Sequence, residues 1–73
     1  MTPFFPREFI ARRAAEHGLK LDQLLSSDRH MDIVMARRDI ASELRGRGMT
    51  YPRIGELLNK HHSSIIHMVR RAV

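Results

Sequence analysis

The chain has 73 residues, room for one small domain spanning 1–73. It has no cysteine, which rules out disulfides and thiolate metal sites. Its net charge of +5 lies wholly in one half: residues 1–36 hold five Lys/Arg against five Asp/Glu, and residues 37–73 hold eight against three.

A chain this short buries only about 60% of the surface it exposes when unfolded, so most apolar residues are needed for the core. Function then falls to the polar residues of one face. Charge asymmetry of this kind favours a polyanionic partner for the second half, nucleic acid above all. The opening MTPFFPREFI has no basic segment followed by an apolar run, so no secretory signal is expected. No run of 18 apolar residues occurs, which excludes a membrane-spanning helix. A soluble, intracellular protein is the expectation.

Pro6 suits the first turn of a helix, where its missing N–H costs nothing. REFIARRAAEH, 7–17, sets Phe9, Ile10, Arg13, Ala14 and His17 at helical spacing, and Gly18 offers the left-handed stop. Phe4 and Phe5 are expected to cap the core. LKLDQLLSS, 19–27, reads as a turn or one-turn helix with Leu21, Leu24 and Leu25 inward.

Ser27 or Asp28 is the expected cap of the next helix, over about 29–46, closed by Gly46 and Gly48. Ile33, Ile40, Ala41 and Leu44 cluster on one side of it, with Met31, Met35, Arg38 and Ser42 on another. Arg37 projects near the apolar side, against the pattern; its stem is expected to snorkel outward. Thr50 caps a helix through TYPRIGELL, Asn59 tolerates the left-handed turn that follows, and a last helix runs from about 62 to the end. The fold class is all-α, a small helical bundle containing a helix-turn-helix at about 50–72. Ile54, Gly55, Leu58, Ile65 and Met68 supply its apolar grid, with Gly55 allowing close approach. Lys60 stands where an apolar residue is usual.

In the last helix, at a helical turn of about 100° per residue, Ser63, Ser64, His67, Arg70 and Arg71 share one side, within an arc of about 120°. Ile65, Met68, Val69 and Ala72 fall together on the opposite side. Lys60, His61 and His62 stand at the N-terminal end, where a recognition helix meets base edges. The three histidines do not make a metal site: helical chelation wants a separation of four, and His67 follows His62 and His61 by five and six. No pair of carboxylates suggests catalysis, and Ser63–His67 at i, i+4 reads as two outward side chains on a basic helix. Neither an enzyme nor a cofactor is expected.

From about Glu8 to Arg71 the chain resembles the C-terminal DNA-binding domain of the bacterial replication initiator DnaA. That family's segments run roughly GLKLEDLLS, ARQIA, YPEIG and GRDHSTVLHACRK. Here they are GLKLDQLLS (18–26), RRDIA (37–41), YPRIG (51–55) and NKHHSSIIHMVRR (59–71), in the same order and at similar spacing. The resemblance implies binding of double-stranded DNA, with the last helix in the major groove and an arginine, matched by Arg38, in the adjacent minor groove. Lys60 matches the signature basic residue, His61 the aspartate, His62 the histidine, and Ser63 and Ser64 the Ser/Thr pair. His67 and Arg71 match the later histidine and lysine.

Three departures stand out: His61 replaces the aspartate, one turn glycine is missing, and about two residues are missing between Ile40 and Tyr51. No GxxxxGK[ST] phosphate loop occurs, so ATP-driven loading or melting of DNA is not expected of these residues. The expected function is sequence-specific duplex binding that regulates replication initiation or transcription. Arg38, Arg53, Lys60, Arg70 and Arg71 would hold phosphate or a groove, while His61, His62, Ser63, Ser64 and His67 would read bases. The alternative is a protein-interaction module whose partner is the replication initiator or its regulatory proteins, with Met31 and Met35 as contacts. The sequence leaves open whether the chain is a free-standing protein or an excised domain, and gives no oligomeric state.

Overall fold

Helices form where the apolar spacing and end signals agree. The computed structural model describes residues 3–71, as five helices: α1 (Pro6–Glu16), α2 (Leu21–Leu25), α3 (Met31–Gly46), α4 (Tyr51–Leu58) and α5 (His62–Arg71). The protein is all-α, a small helical bundle. No helix among the described residues is long and apolar enough to cross a membrane.

The stops work as the glycines imply. Gly18 and Gly48 sit at φ of 73° and 90°, beyond the reach of most side chains. After α1, Gly18 N–H bonds Ala15 O and Leu19 N–H bonds Ala14 O, both at 2.9 Å. After α3, Gly48 N–H reaches Arg45 O and Met49 N–H reaches Leu44 O. These paired bonds satisfy carbonyls that a helix end leaves orphaned, and they turn Leu19 and Met49 against the core.

The core joins all five helices: Ile10 and Ala14 of α1, Leu24 of α2, Ile40, Ala41 and Leu44 of α3, Ile54 and Leu58 of α4, and Ile65 of α5. Ile33 is buried as its spacing requires. α1 is tied to α3 on its outer edge, where Arg13 donates to Asp39 at 2.6 Å and His17 Nε2 lies 3.1 Å from the same carboxylate. Ala72, assigned to the apolar side of the last helix, lies outside the described residues.

Four expectations are corrected. Leu21 is 38% exposed, because a single helical turn cannot point three leucines inward; Leu24 takes the core position and Leu25 is half-buried. Phe5 is 56% exposed and does not cap the core; Phe4, also exposed, stacks on half-buried Phe9 at 5.5 Å, with the Arg47 guanidinium 4.3 Å from its ring centre. Neither Ser27 nor Asp28 caps α3. The N-cap position is His30 without a side-chain cap, and Asp28 instead accepts from the His30 backbone N–H at 3.0 Å.

Arg37 does not snorkel outward. It is 3% exposed, and its guanidinium donates to four carbonyls: Leu24 O at 2.8 Å, Asp28 O at 2.6 Å, Ser26 O at 2.5 Å and Gln23 O at 3.3 Å. α2 is too short to satisfy its own C-terminal carbonyls, and Arg37 does it from α3. Asn59 and Lys60 complete the set, with Asn59 Nδ2 donating to Leu25 O at 3.3 Å and Lys60 Nζ to Ser26 O at 2.6 Å. The turn before α5 is thereby fastened to the α2–α3 connection.

Removing the guanidinium takes the donor from Leu24 O and Asp28 O, while Ser26 O keeps Lys60 and Gln23 O keeps Ser26; each carbonyl left unpartnered costs about 1–3 kcal/mol. In a chain this small, Arg37→Met is therefore expected to lose about 3 kcal/mol or more, read as a collapse of the urea midpoint. A midpoint within error of the parent would show that the clamp contributes nothing.

Candidate nucleic-acid interface

The candidate interface is built on α4, the turn, and α5. Thr50 Oγ1 caps α4 by accepting from Arg53 N–H at 3.4 Å, and Pro52 fits its first turn. Asn59 adopts the left-handed conformation, φ 56° and ψ 45°, and Lys60 N–H closes the helix onto Gly55 O at 2.8 Å. Gly55 is where the turn folds back. A Cβ there would stand 2.5 Å from the Lys60 carbonyl oxygen, so only glycine lets the chain return this closely. α5 then leaves the turn and packs on α3 and α4 through Ile65, with Ile66, Met68 and Val69 half-buried. Two helices joined by a tight turn are thus present as the spacing predicts.

Of the ten sequence-derived site residues, eight are exposed: Arg53, His61, His62, Ser63, Ser64, His67, Arg70 and Arg71. Arg38 and Lys60 are half-buried. The α5 residues share one outward face, and residues 57–71 contain no Asp or Glu to offset its charge. Arg38 of α3 and Arg71 of α5, 33 positions apart, meet in one open hollow of about 430 Å³ with Met35, His17 and Asp39, whose carboxylate is paired with Arg13. Lys60 and Ser64 line a second hollow, of about 310 Å³, nearer the N-terminal end of α5. Arg53 stands apart on α4, paired with Glu56 at 3.1 Å.

Two residues have internal tasks that the sequence did not disclose. Lys60 is held on Ser26 O, and burial pushes its ammonium pKa down, with the neighbouring Arg37 charge adding to the effect. This explains the missing apolar residue at that position. His61 caps α5: its Nδ1 accepts from Ser63 N–H at 3.2 Å, while its carbonyl accepts from Ser64 N–H at 3.0 Å. The imidazole takes over an acceptor task for which aspartate is better suited, and its ring lies 4.2 Å from that of His62.

Arg29 was missed altogether. It is exposed, sits in the α2–α3 connection and lines the hollow of Lys60 and Ser64. Its only sequence signal was a lone arginine in the loop SSDRH. That loop is braced by Asp28, whose Oδ1 lies 2.5 Å from His30 Nδ1. The contact raises the His30 pKa and lowers that of Asp28. Among the described residues, no cluster of three His, Cys, Asp or Glu stands close enough to hold a metal ion.

The fold and this face define a small helix-turn-helix bundle with a cationic outer helix. Comparison with protein-family models, curated proteins and solved structures finds no match.

Two outcomes check these assignments. His61→Asp places a carboxylate acceptor at a helix N-terminus and should stabilise the protein by about 0.5–1 kcal/mol, measured by thermal melting at neutral pH. A fall in melting temperature would remove His61 from the cap. The Asp28–His30 contact contributes most while both groups are charged. Its His30 share is in full below 6.5 and lost as pH rises through the raised folded value; its Asp28 share is in full above 3.8 and lost as pH falls through the lowered one. His30→Gln should thus lower the melting temperature more at pH 5.5 than at pH 9, and an equal effect at both would dismiss the ion pair.

Proposed function

We propose that the protein binds double-stranded DNA in a sequence-specific manner through α5, as the resemblance to the DnaA terminal domain implies. It would regulate replication initiation or transcription from the cytoplasm or nucleoid, without catalysis of its own. The observation that carries this reading is the outer face of α5. Six exposed groups, His62, Ser63, Ser64, His67, Arg70 and Arg71, stand along a helix whose opposite side is anchored by Ile65. Ten residues make a rod about 15 Å long. A major groove about 12 Å wide admits such a rod.

Charge then divides the work. Arg38, Arg70 and Arg71 supply phosphate or groove contacts. The hydroxyls of Ser63 and Ser64 and the imidazoles of His62 and His67 face base edges. Arg53 contributes from α4 in exchange for its pairing with Glu56.

A second reading has its own observation. Met31 and Met35, four apart on α3, are 64% and 57% exposed, and flexible thioethers at a surface suit a protein partner. In that reading the protein contacts the replication initiator or its regulators without touching DNA. A complex that survives nuclease treatment and disappears in Met31→Ser with Met35→Ser would favour it.

The deciding experiment for the first reading is selection from random duplexes followed by titration against salt. Affinity should fall steeply and linearly on a log–log plot, because each neutralised phosphate releases counterions. His67→Ala should reduce discrimination between selected and scrambled duplexes, by about 1–3 kcal/mol for each base that the imidazole reads. No enrichment of any duplex would end the proposal.

A further inference from the structure

Arg37 and Lys60 converge on a single acceptor. Their nitrogens lie 2.5 and 2.6 Å from the Ser26 carbonyl oxygen, and no carboxylate lines the hollow above them. Arg29 enters the same hollow from the α2–α3 connection, and Ser27 and Ser64 line it with hydroxyl-bearing side chains. Asp28, whose charge reaches Arg37, is engaged by both the ring and the backbone N–H of His30. Arg29 pairs with no carboxylate among the described residues.

Three cations thus share one hollow that no carboxylate lines, with backbone carbonyls as their nearest acceptors and the Asp28 charge acting on Arg37 from outside it. The lowered pKa of Lys60 has that crowding among its causes. Like charges held this way are relieved by an anion. The space, about 310 Å³, equals roughly ten waters' share of liquid volume, enough for a tetrahedral oxyanion. If Lys60 turns toward such a group, Ser26 O keeps its bond from Arg37 and Asn59 still ties the turn to Leu25 O.

We propose that this hollow is a single-oxyanion site, filled by one backbone phosphate when α5 docks on duplex DNA, with Arg29, Lys60 and Ser64 as its donors. The identity of the occupant rests on the DNA-binding reading; the site itself rests on the cation geometry. A phosphate taken there fixes the N-terminal end of α5 relative to one strand. Arg38 and Arg71, in the other hollow between α3 and α5, lie toward its opposite end.

The test uses the full chain with Arg29→Gln and Ser64→Ala, both at exposed positions, with melting curves to confirm the fold. In the first arm, the salt slope of duplex binding should become shallower by about one for Arg29→Gln, with affinity reduced alike on every sequence. In the second, inorganic phosphate is titrated at constant ionic strength without DNA. Amide resonances of Arg29, Lys60 and Ser64 should shift in the parent and stay still in Arg29→Gln. Either response upholds the site. If the parent binds no duplex yet shows the phosphate shifts, the DNA-binding reading falls and the hollow belongs to a free oxyanion. If the parent binds duplex but Arg29→Gln and Ser64→Ala keep its slope, and phosphate moves none of the three resonances, the site is overturned while duplex binding stands.

Discussion

One buried guanidinium holds the architecture together. α2 has five residues, so nearly all its carbonyls are orphans by the geometry of a helix end. Left unpartnered beneath α3, they would destabilise the protein by more than a domain of this size can bear. Arg37 gathers two of them, Gln23 O and Leu24 O, together with Ser26 O and Asp28 O just beyond the helix, with a planar fork of donors that a lysine with a single ammonium could not span. Burying the charge is costly, and burial lowers the Arg37 pKa. The cost is offset by hydrogen bonds to carbonyl oxygens, with no buried ion pair. Since Asn59 and Lys60 bind the same stretch of backbone, the clamp also sets where the turn stands and so where α5 begins.

That clamp marks the boundary of what the sequence could tell. Helix positions were legible because they depend on local signals: apolar spacing, Thr50 as a cap, Gly18 and Gly48 as stops, Asn59 as a left-handed turn. Gly55 was legible too, through the spacing of the helix-turn-helix grid. Arg37 and Lys60 were not, since their partners are backbone carbonyls distant in sequence and every residue type carries a carbonyl. Both surfaced only as violations, a cation on an apolar side and a lysine where an apolar residue belongs. Each violation proved to be a hydrogen-bond donor facing the end of α2. Asp28 misled for a related reason: the nearer N–H of His30 captured its carboxylate before α3 could use it.

The outer face of α5 was legible in composition and direction, since helical angles alone separate its polar groups from Ile65. What the angles could not supply was the set of side chains brought to it from elsewhere. Arg29 arrives from a loop and Arg38 from a neighbouring helix. Both depend on how α3 lies along α5, which is decided by Ile40, Ala41, Leu44 and Ile65 in a shared core.

The distribution of charge along α5 bears on what kind of DNA binding the proposed reading entails. Cations gather toward its two ends, Arg29 and Lys60 at one and Arg38, Arg70 and Arg71 at the other, while the middle offers only hydroxyl and imidazole groups. The strongest base-specific contacts are bidentate, from arginine to guanine or from Asn/Gln to adenine. No such side chain lies in the stretch from His61 to Val69. His61 is further constrained, because its Nδ1 is spent on the helix cap and only the rest of the ring faces outward. Under that reading, most of the binding free energy is phosphate-derived and sensitive to salt, and sequence preference comes from a few single hydrogen bonds in the centre of the helix. His61 then acts chiefly on the structure of the helix start, holding the Ser63 and Ser64 N–H groups, and base preference rests on the groups that follow it.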